Sequence, residues 1–543
     1  LYAINEDSKL VTLDKTSGKD TVDADSSKYN IPKVEYVQSM TYDYNSGYIY
    51  WAQVNQAQSS SLYVLDLKAK EMYYAGVIGN IGSQVAGLYT VPAKGKVPEI
   101  PYVELSDVNL AAEDCVMVKG TKMQMKAQTE PYNATSQTFT WKTDAKDIAD
   151  VSQGGEVTAY NKGTANISVT VKDDKTGKTV TKSVKVKVTE PIENLGGFLM
   201  LDNEKQSMNA WIGIDPQDPN NYKVKSKSGN NVTIGAGAYY QGDLYAYESK
   251  TGASDKRSFY RIDAKSGRES EALGSVNTKV SDMTFDYKNG IMYAITGDKN
   301  ISIVDLSSGA LSEVYSQSDK VFVTLAADDK GTLYTIARDS GDKTGKAALY
   351  RIDLSAADSS GDSDTAGTVL TKIGDTGRNA VLEQSMTYDM ENGYLYWAQI
   401  SNSTDANLCI VDPQSGYASP IGTIGESGSE VSALYCDYSQ EPEAPYIAAK
   451  DLTIKQGDSA TLLAGGELQL TVSTDPVYAT NKDFSYESSD TAVCEVSKGG
   501  KILAKKQGTA KITVSLKDKE KTLKKVIEVK VIKAPEKMEA FLY

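Results

Sequence analysis

Residues 38–53 read QSMTYDYNSGYIYWAQ, and residues 384–399 read QSMTYDMENGYLYWAQ. The starts lie 384 − 38 = 346 residues apart. Short repeat periods mean stacked small modules, whereas a period this long means that a multi-domain unit has been copied. Each copy places two apolar strands around an Asp-containing turn, the pattern of a β-hairpin.

The same pattern recurs between the copies. A strand ends at an Asp turn (VSDMTFDYKNG, VFVTLAADDKG), and a Leu/Met-Tyr strand follows (IMYAI, TLYTI, YLYWA). Then comes a strand closing on Asp263, Asp305, Asp353 or Asp412, and last a short strand often containing Gly. Four antiparallel strands repeated radially are the blades of a β-propeller, each covering a face of the next. Blades begin near Val232, Val280, Val321 and Leu382, and a final strand, EVSALYCDY, begins at Glu430. Its missing partners are GGFLMLD, NAWIGID and NYKVKSK at the start of the module. The last strand therefore completes the first blade in a five-bladed ring over residues 193–440, with six blades the neighbouring possibility. Residues 1–92 supply only the end of such a ring, and 534–543 (ending AFLY) resemble the opening strand of another. The chain reads as a stretch of a longer tandem polypeptide. The competing expectation is head-to-tail assembly, in which one chain's end completes the next chain's ring.

Pro-rich linkers at 93–102 and 441–446 are stiff and extended, and each leads into a module of alternating short strands, 103–190 and 447–533. The first contains TWKTDAKDIADVSQGGEVTAYNKGTANISVTV and the second SYESSDTAVCEVSKGGKILAKKQGTAKITVSL. Trp141, replaced by Tyr486 in the second, the Ser/Thr-Asp turn, ADVS or CEVS, GG-x-(V/I), Gly163-Thr164-Ala165 and Gly508-Thr509-Ala510 together resemble the bacterial Ig-like domain of group 2. That resemblance implies two β-sandwiches. The propeller carries no named family. The predicted fold is all-β, a five-bladed propeller alternating with Ig-like sandwiches.

Composition narrows the function. Tyr is abundant (35) and Phe scarce (7), a strand-and-turn vocabulary. The formal net charge is −14, without a basic stripe, so binding to phosphate backbones or anionic lipid is disfavoured. No apolar run reaches the length of a membrane span, and LYAINEDSKL lacks the basic and apolar regions of a signal peptide. Histidine is absent, which removes Ser-His-Asp and Cys-His nucleophiles and His-ligated metals. Cys115, Cys409, Cys436 and Cys494 form no CxxC pair. Cys409 aligns with Tyr63 and Cys436 with Thr90, so all four are expected to be separate buried thiols.

Asp263, Asp305, Asp353 and Asp412, with Asp286 and Asp389, are expected to bond backbone N–H groups in their own turns. The acidic loop SAADSSGDSDTAG at 355–367 lacks Ca²⁺-loop spacing and reads as solvated. No metal or cofactor is predicted. First strands of blades line the channel of a propeller, so Gln38, Gln384, Ser385, Asp282, Thr324 and Ser432 are placed at its mouth. Trp51 and Trp397, followed by Gln53 and Gln399, replace the small residues of other blades. An aromatic face beside amides is a usual grip for a sugar or peptide. The other reading is that Trp fills a wide gap between blades. A propeller glycosidase would need no His, but Asp282, Glu383 and Glu430 are the carboxylates near the mouth, and they form no evident acid pair.

The expected protein is non-catalytic, an extracellular, secreted or surface-attached bacterial protein of structural, fibre or adhesion type, in which sandwiches act as spacers and propellers as binding or display heads. The partners would be a surface glycan or protein, or neighbouring copies of itself, without nucleic acid or membrane insertion. A carbohydrate-binding array and a propeller glycoside hydrolase with Ig-like accessories are the alternatives.

Overall fold

The computed structural model describes residues 1–14, 19–33, 38–54, 60–79, 84–91, 102–110, 113–135, 137–202, 207–228, 232–249, 256–356, 369–381, 384–400, 405–438 and 440–533. These residues are all-β apart from two 3-10 turns, Ser26–Tyr29 and Leu354–Ala356. No described helix is long and apolar enough to cross a membrane. Most of the acidic loop, Glu383 and the AFLY segment lie outside the described residues. The chain forms two compact units, Leu1–Val103 and Glu104–Tyr543.

In the first unit, Tyr2–Ile4, Leu10–Leu13 and Asp20–Val22 make one sheet. Ser39–Tyr42, Ile49–Val54, Ser60–Asp66 and Glu71–Ile78 make a second, in sequence order. Leu10, Tyr29, Ile49, Trp51 and Leu65 form its core. The last strand leaves Tyr73, Tyr74 and Val77 50%, 59% and 58% exposed.

The second unit holds five antiparallel sheets over residues 195–436. The first sheet runs Lys223–Lys227, Ser207–Gly213, Leu195–Asp202, Ser429–Cys436, so the orphan strands at the two ends of this segment do pair. Leu199 faces Val431 and Phe198 faces Ser432. The other four sheets are opened by Ile234–Tyr240, Val280–Asp286, Lys320–Phe322 with Ala326–Ala327, and Ser385–Asp389. Ser429–Cys436 and these opening strands are neighbours in a cyclic order, each lying beside the next. An apolar core fills every successive gap. Phe198 and Trp211 meet Ile234 and Leu244; Phe259 meets Phe285 and Met292; Ile301 meets Phe322 and Leu333; Ile336 and Leu349 meet Trp397; Tyr396 and Leu408 meet Leu199 and Ile212. Alternation along each strand gives one side chain to each neighbour, so both faces of a sheet are apolar.

Two smaller modules flank this domain. Gln137–Thr143, Gly163–Asp173, Thr179–Thr189 and Cys115–Val118 form a sheet in that order, and Phe484–Ser488, Gly508–Asp518, Lys521–Ile532 and Ser459–Leu463 repeat it. In both, the last pairing is parallel. Trp141 lies in one core and Tyr486 packs on the other. The four cysteines are free and buried. Each sits in a different core: Cys115 and Cys494 in the modules, Cys409 and Cys436 between sheets.

Candidate functional site

The turn aspartates behave as the sequence leads one to expect. Asp263 accepts from the Ser266 amide and hydroxyl, Asp305 from those of Ser307, and Asp353 from those of Ser355. Asp412 accepts from Gln414 N, Asp286 from Asn289, and Asp389 from Glu391 and Asn392. Each satisfies the amides of its own turn. Two of them reach further. The Asp412 carboxylate meets Lys187 Nζ of the first module at 2.9 Å, and Asp305 meets Lys482 Nζ of the second at 3.3 Å.

The residues expected at the channel mouth are brought together but buried. Asp282, Thr324, Gln384, Ser385, Trp397, Gln399 and Ser432 are all at most 2% exposed. Asp282 is their hub. Its carboxyl accepts from Leu325 N (2.8 Å), Met386 N (3.1 Å) and Ser385 Oγ (2.8 Å). Ser385 Oγ in turn accepts from Leu434 N. Asp282 therefore ties together three of the five sheets, Ser385 Oγ extends the link to a fourth through Leu434, and Ser432 Oγ, donating to Ile234 O, adds the remaining one. Thr324 Oγ1 accepts from Ile336 N. Burial strips the Asp282 carboxyl of water and holds it well above the usual carboxylate range, although the hydrogen bonds it accepts oppose that shift.

Trp397 Nε1 donates to Gln384 Oε1, Gln384 Nε2 to Ile400 O, and Gln399 Nε2 to Asn379 O. The indole offers no face to a ligand; it fills the gap between the fourth and fifth sheets. In the first unit Trp51 and Gln53 are likewise buried, and Gln53 Nε2 donates to Lys33 O. Gln38 is partly buried there, its amide atoms inside and without a hydrogen-bond partner among the described residues. The void at the axis, lined by Met283, Met386 and Tyr438, is only about 20 Å³, room for roughly one water. The sugar grip expected of these residues is corrected by their burial: amide and indole are spent on each other. Of the carboxylates weighed for glycoside hydrolysis, Asp282 is sealed in this network and Glu430 is half-buried.

Accessible concavities lie elsewhere: one of about 400 Å³ is lined by Asp286, Tyr293, Lys330 and Arg351, among others, and a second lies where the second module meets the five-sheet domain. This cleft of about 390 Å³ is lined by Tyr240, Tyr245, Arg261, Phe285, Asp305, Tyr478 and Lys482, among others. Its volume falls in the usual range of small-molecule sites, and domain junctions favour such sites. Lys482 Nζ, beside Asp305, also donates to Thr474 Oγ1 (2.5 Å) and to Val477 O. Burial lowers the Lys482 pKa, and Asp305 opposes that. The linker is fixed as well, since Tyr287 Oη and Gln241 N both donate to Glu441 Oε1. Sequence reasoning missed the cleft because its wall comes from several separated segments; Tyr478, in a turn of the second module, was the available signal.

The first module joins the same domain through its outward face. Val116 and Val118 belong to the core shared by the fifth and first sheets, while their neighbours Cys115 and Met117 face the module's own core. Val116 N donates to Ser419 Oγ, and Gln217 Nε2 to Lys119 O.

Among known proteins, the bacterial Ig-like domain (group 2) family matches residues 105–184 and 448–527. No curated protein matches the chain. Solved structures aligned with it include a quinonprotein alcohol dehydrogenase-like protein from Bacteroides thetaiotaomicron (14% identity, 78% of this chain and 98% of that one, TM-score 0.24). An oligogalacturonate lyase in complex with manganese aligns at 10% identity over 56% of this chain and 86% of that one (TM-score 0.26). The extracellular domain of a hybrid two-component system from B. thetaiotaomicron aligns at 10% identity over 98% and 90% (TM-score 0.22). The two modules at 105–184 and 448–527 are thus bacterial Ig-like domains of group 2.

Proposed function

We propose that this chain is a non-catalytic, extracellular bacterial surface protein in which five-bladed propellers are displayed on Ig-like spacers. In this reading residues 195–436 are one complete propeller and Leu1–Val103 carries the end of another. The observation that carries it is how the Ig-like domains are joined to the five-sheet domain. Both use a lysine–aspartate pair plus apolar contact, Lys187–Asp412 with Val116 and Val118, and Lys482–Asp305 with Val477 and Tyr478. Joints of this kind hold modules at a fixed angle, which serves reach and presentation more than turnover. Linked heads also gain avidity, because later binding events become intramolecular.

The ligand seat proposed for the head is the junction cleft. Tyr240, Tyr245 and Tyr478 supply aromatic surface, and the two cations beside them are already paired, Arg261 with Asp243 and Lys482 with Asp305. A neutral, hydroxyl-rich ligand such as a saccharide suits that lining. A glycan array read for both binding and hydrolysis tests this. Binding without turnover, lost in Tyr478→Ala and kept in Trp397→Phe, is the expected result. Turnover of any bound glycan would overturn the non-catalytic reading, and no binding to any glycan would leave a structural spacer with a protein partner.

A further inference from the structure

We infer that the five-sheet domain holds a second ligand seat, between its third and fourth sheets, for a monocarboxylate with a short aliphatic tail. The seat goes beyond the saccharide reading and shares no residue with the junction cleft.

The seat is a pocket of about 190 Å³ lined by residues that precede the Asp282 network along the opening strands, whereas the small axial void is lined by residues that follow it. Val321, Phe322 and Val323, at the start of the fourth sheet, and Ala380 and Val381, leading into the fifth, give it apolar walls. Phe322 and Val323 belong to two different cores, so packing fixes both.

The polar side is formed by Lys279, Ser281, Asp298 and Arg338. Asp298 stands at φ +64° in the turn after Ile291–Thr296, and its carbonyl accepts from Phe322 N at 2.8 Å, which ties the third sheet to the fourth. The Asp298 carboxylate is already taken: Lys279 Nζ lies 3.0 Å from it, and Ser281 Oγ donates to it. Arg338 is not matched in this way. It lies opposite Val321 on Leu333–Asp339, half-buried. Its guanidinium donates from Nη1 to Asp342 O, at 3.3 Å, and makes no ion pair among the described residues. The Asp342 carboxylate accepts instead from Thr344 and from Lys346 N.

Lys279 and Arg338 against Asp298 leave one surplus positive charge on the described lining, in a chain whose net charge is −14. A guanidinium with N–H groups to spare is a fork for a carboxylate. The single surplus charge suits a monoanion; a phosphate dianion would place a second charge beside Asp298 with nothing to meet it. The apolar walls take a short aliphatic tail out of water, and the volume is below that of sites for drug-sized ligands. A free short-chain acid and the C-terminal aliphatic residue of a peptide share this chemistry.

Isothermal titration of the whole chain tests the inference with four probes at millimolar concentration: isovalerate, its neutral amide, acetyl-Ala-Val as the free acid, and acetyl-Ala-Val amide. The expected result is saturable binding of at least one acid, with its amide weaker by about tenfold or more. Isovalerate alone marks the free acid as the source, and a tighter peptide acid marks a chain terminus. Arg338→Gln should weaken the bound acid by about tenfold or more, and Arg338→Lys, which keeps the charge and loses the fork, by less. Each variant is read at an unchanged denaturation midpoint, and Arg338→Lys alone decides if the Gln variant does not fold. No binding of either acid overturns the inference, as do amides that bind as well as the acids, or affinity that neither variant lowers. Because Tyr478 and the junction cleft are untouched, these failures are separate from failure of the glycan reading.

Discussion

Asp282 shows how a residue can look catalytic and be structural. A carboxyl near the mouth of a ring, among hydroxyls, has the makings of a general acid, but its oxygens are taken up by two amides and a serine from other sheets. Asp282→Ala leaves those donors buried without an acceptor and should cost about 3 kcal/mol or more, read from chemical denaturation. The pH dependence has a definite sign. Burial raises the folded-state pKa above the ordinary value of 3.8, so the folded protein holds a proton that the unfolded chain has lost. Stability from this group is present at low pH and falls as pH rises from about 4 through the folded pKa. Wild type should lose stability across that window relative to Asp282→Asn, which has no proton to release; parallel pH profiles would contradict the assignment. Trp397→Phe should leave Gln384 Oε1 buried and unpaired, at about 1–3 kcal/mol, with glycan binding unchanged.

Elements repeat more faithfully than residues do, and glycine shows why. Gly155 and Gly500 occupy the same place in the two Ig-like domains, at φ +83° and +78°. A methyl at Gly155 would stand 3.0 Å from the Trp141 ring and 2.8 Å from Met125 O; at Gly500 it would stand 2.8 Å from the Tyr486 ring. Gly155→Ala and Gly500→Ala should each destabilise their domain by about 1–3 kcal/mol, visible as a lowered denaturation midpoint. This makes GG-x-(V/I) a backbone requirement set beside an aromatic side chain, which is why the motif was legible. The Asp turns were legible for the same reason, each being satisfied within a few residues of its own chain. The pairing of residues 195–227 with 429–436 was also legible, because strands left without partners at both ends of a repeat have to find each other. What the sequence concealed was side-chain traffic between sheets. Gln384 and Trp397 sit in adjacent strands of one hairpin, yet whether the indole faces outward or into the gap between sheets depends on the neighbouring sheet, which local spacing does not encode. The cleft was hidden likewise, its wall being assembled from several separated segments, with Tyr240, Phe285 and Tyr478 among its residues.

For the whole molecule, the contrast between the two units carries the largest consequence. The sheets of residues 195–436 are covered on both faces by neighbours, and Ig-like domains lie against that domain through buried ion pairs and shared cores. The first unit has a small core of Leu10, Tyr29, Ile49, Trp51 and Leu65, and it exposes Tyr42, Tyr44, Tyr48, Tyr73, Tyr74 and Val77. Less apolar surface leaves water per residue on folding, so its stability margin is smaller. Calorimetry of the whole chain should therefore resolve at least two transitions, the lower one belonging to residues 1–103 and vanishing when they are deleted. A single transition for the whole chain, or a lower one that persists after residues 1–103 are deleted, would contradict this.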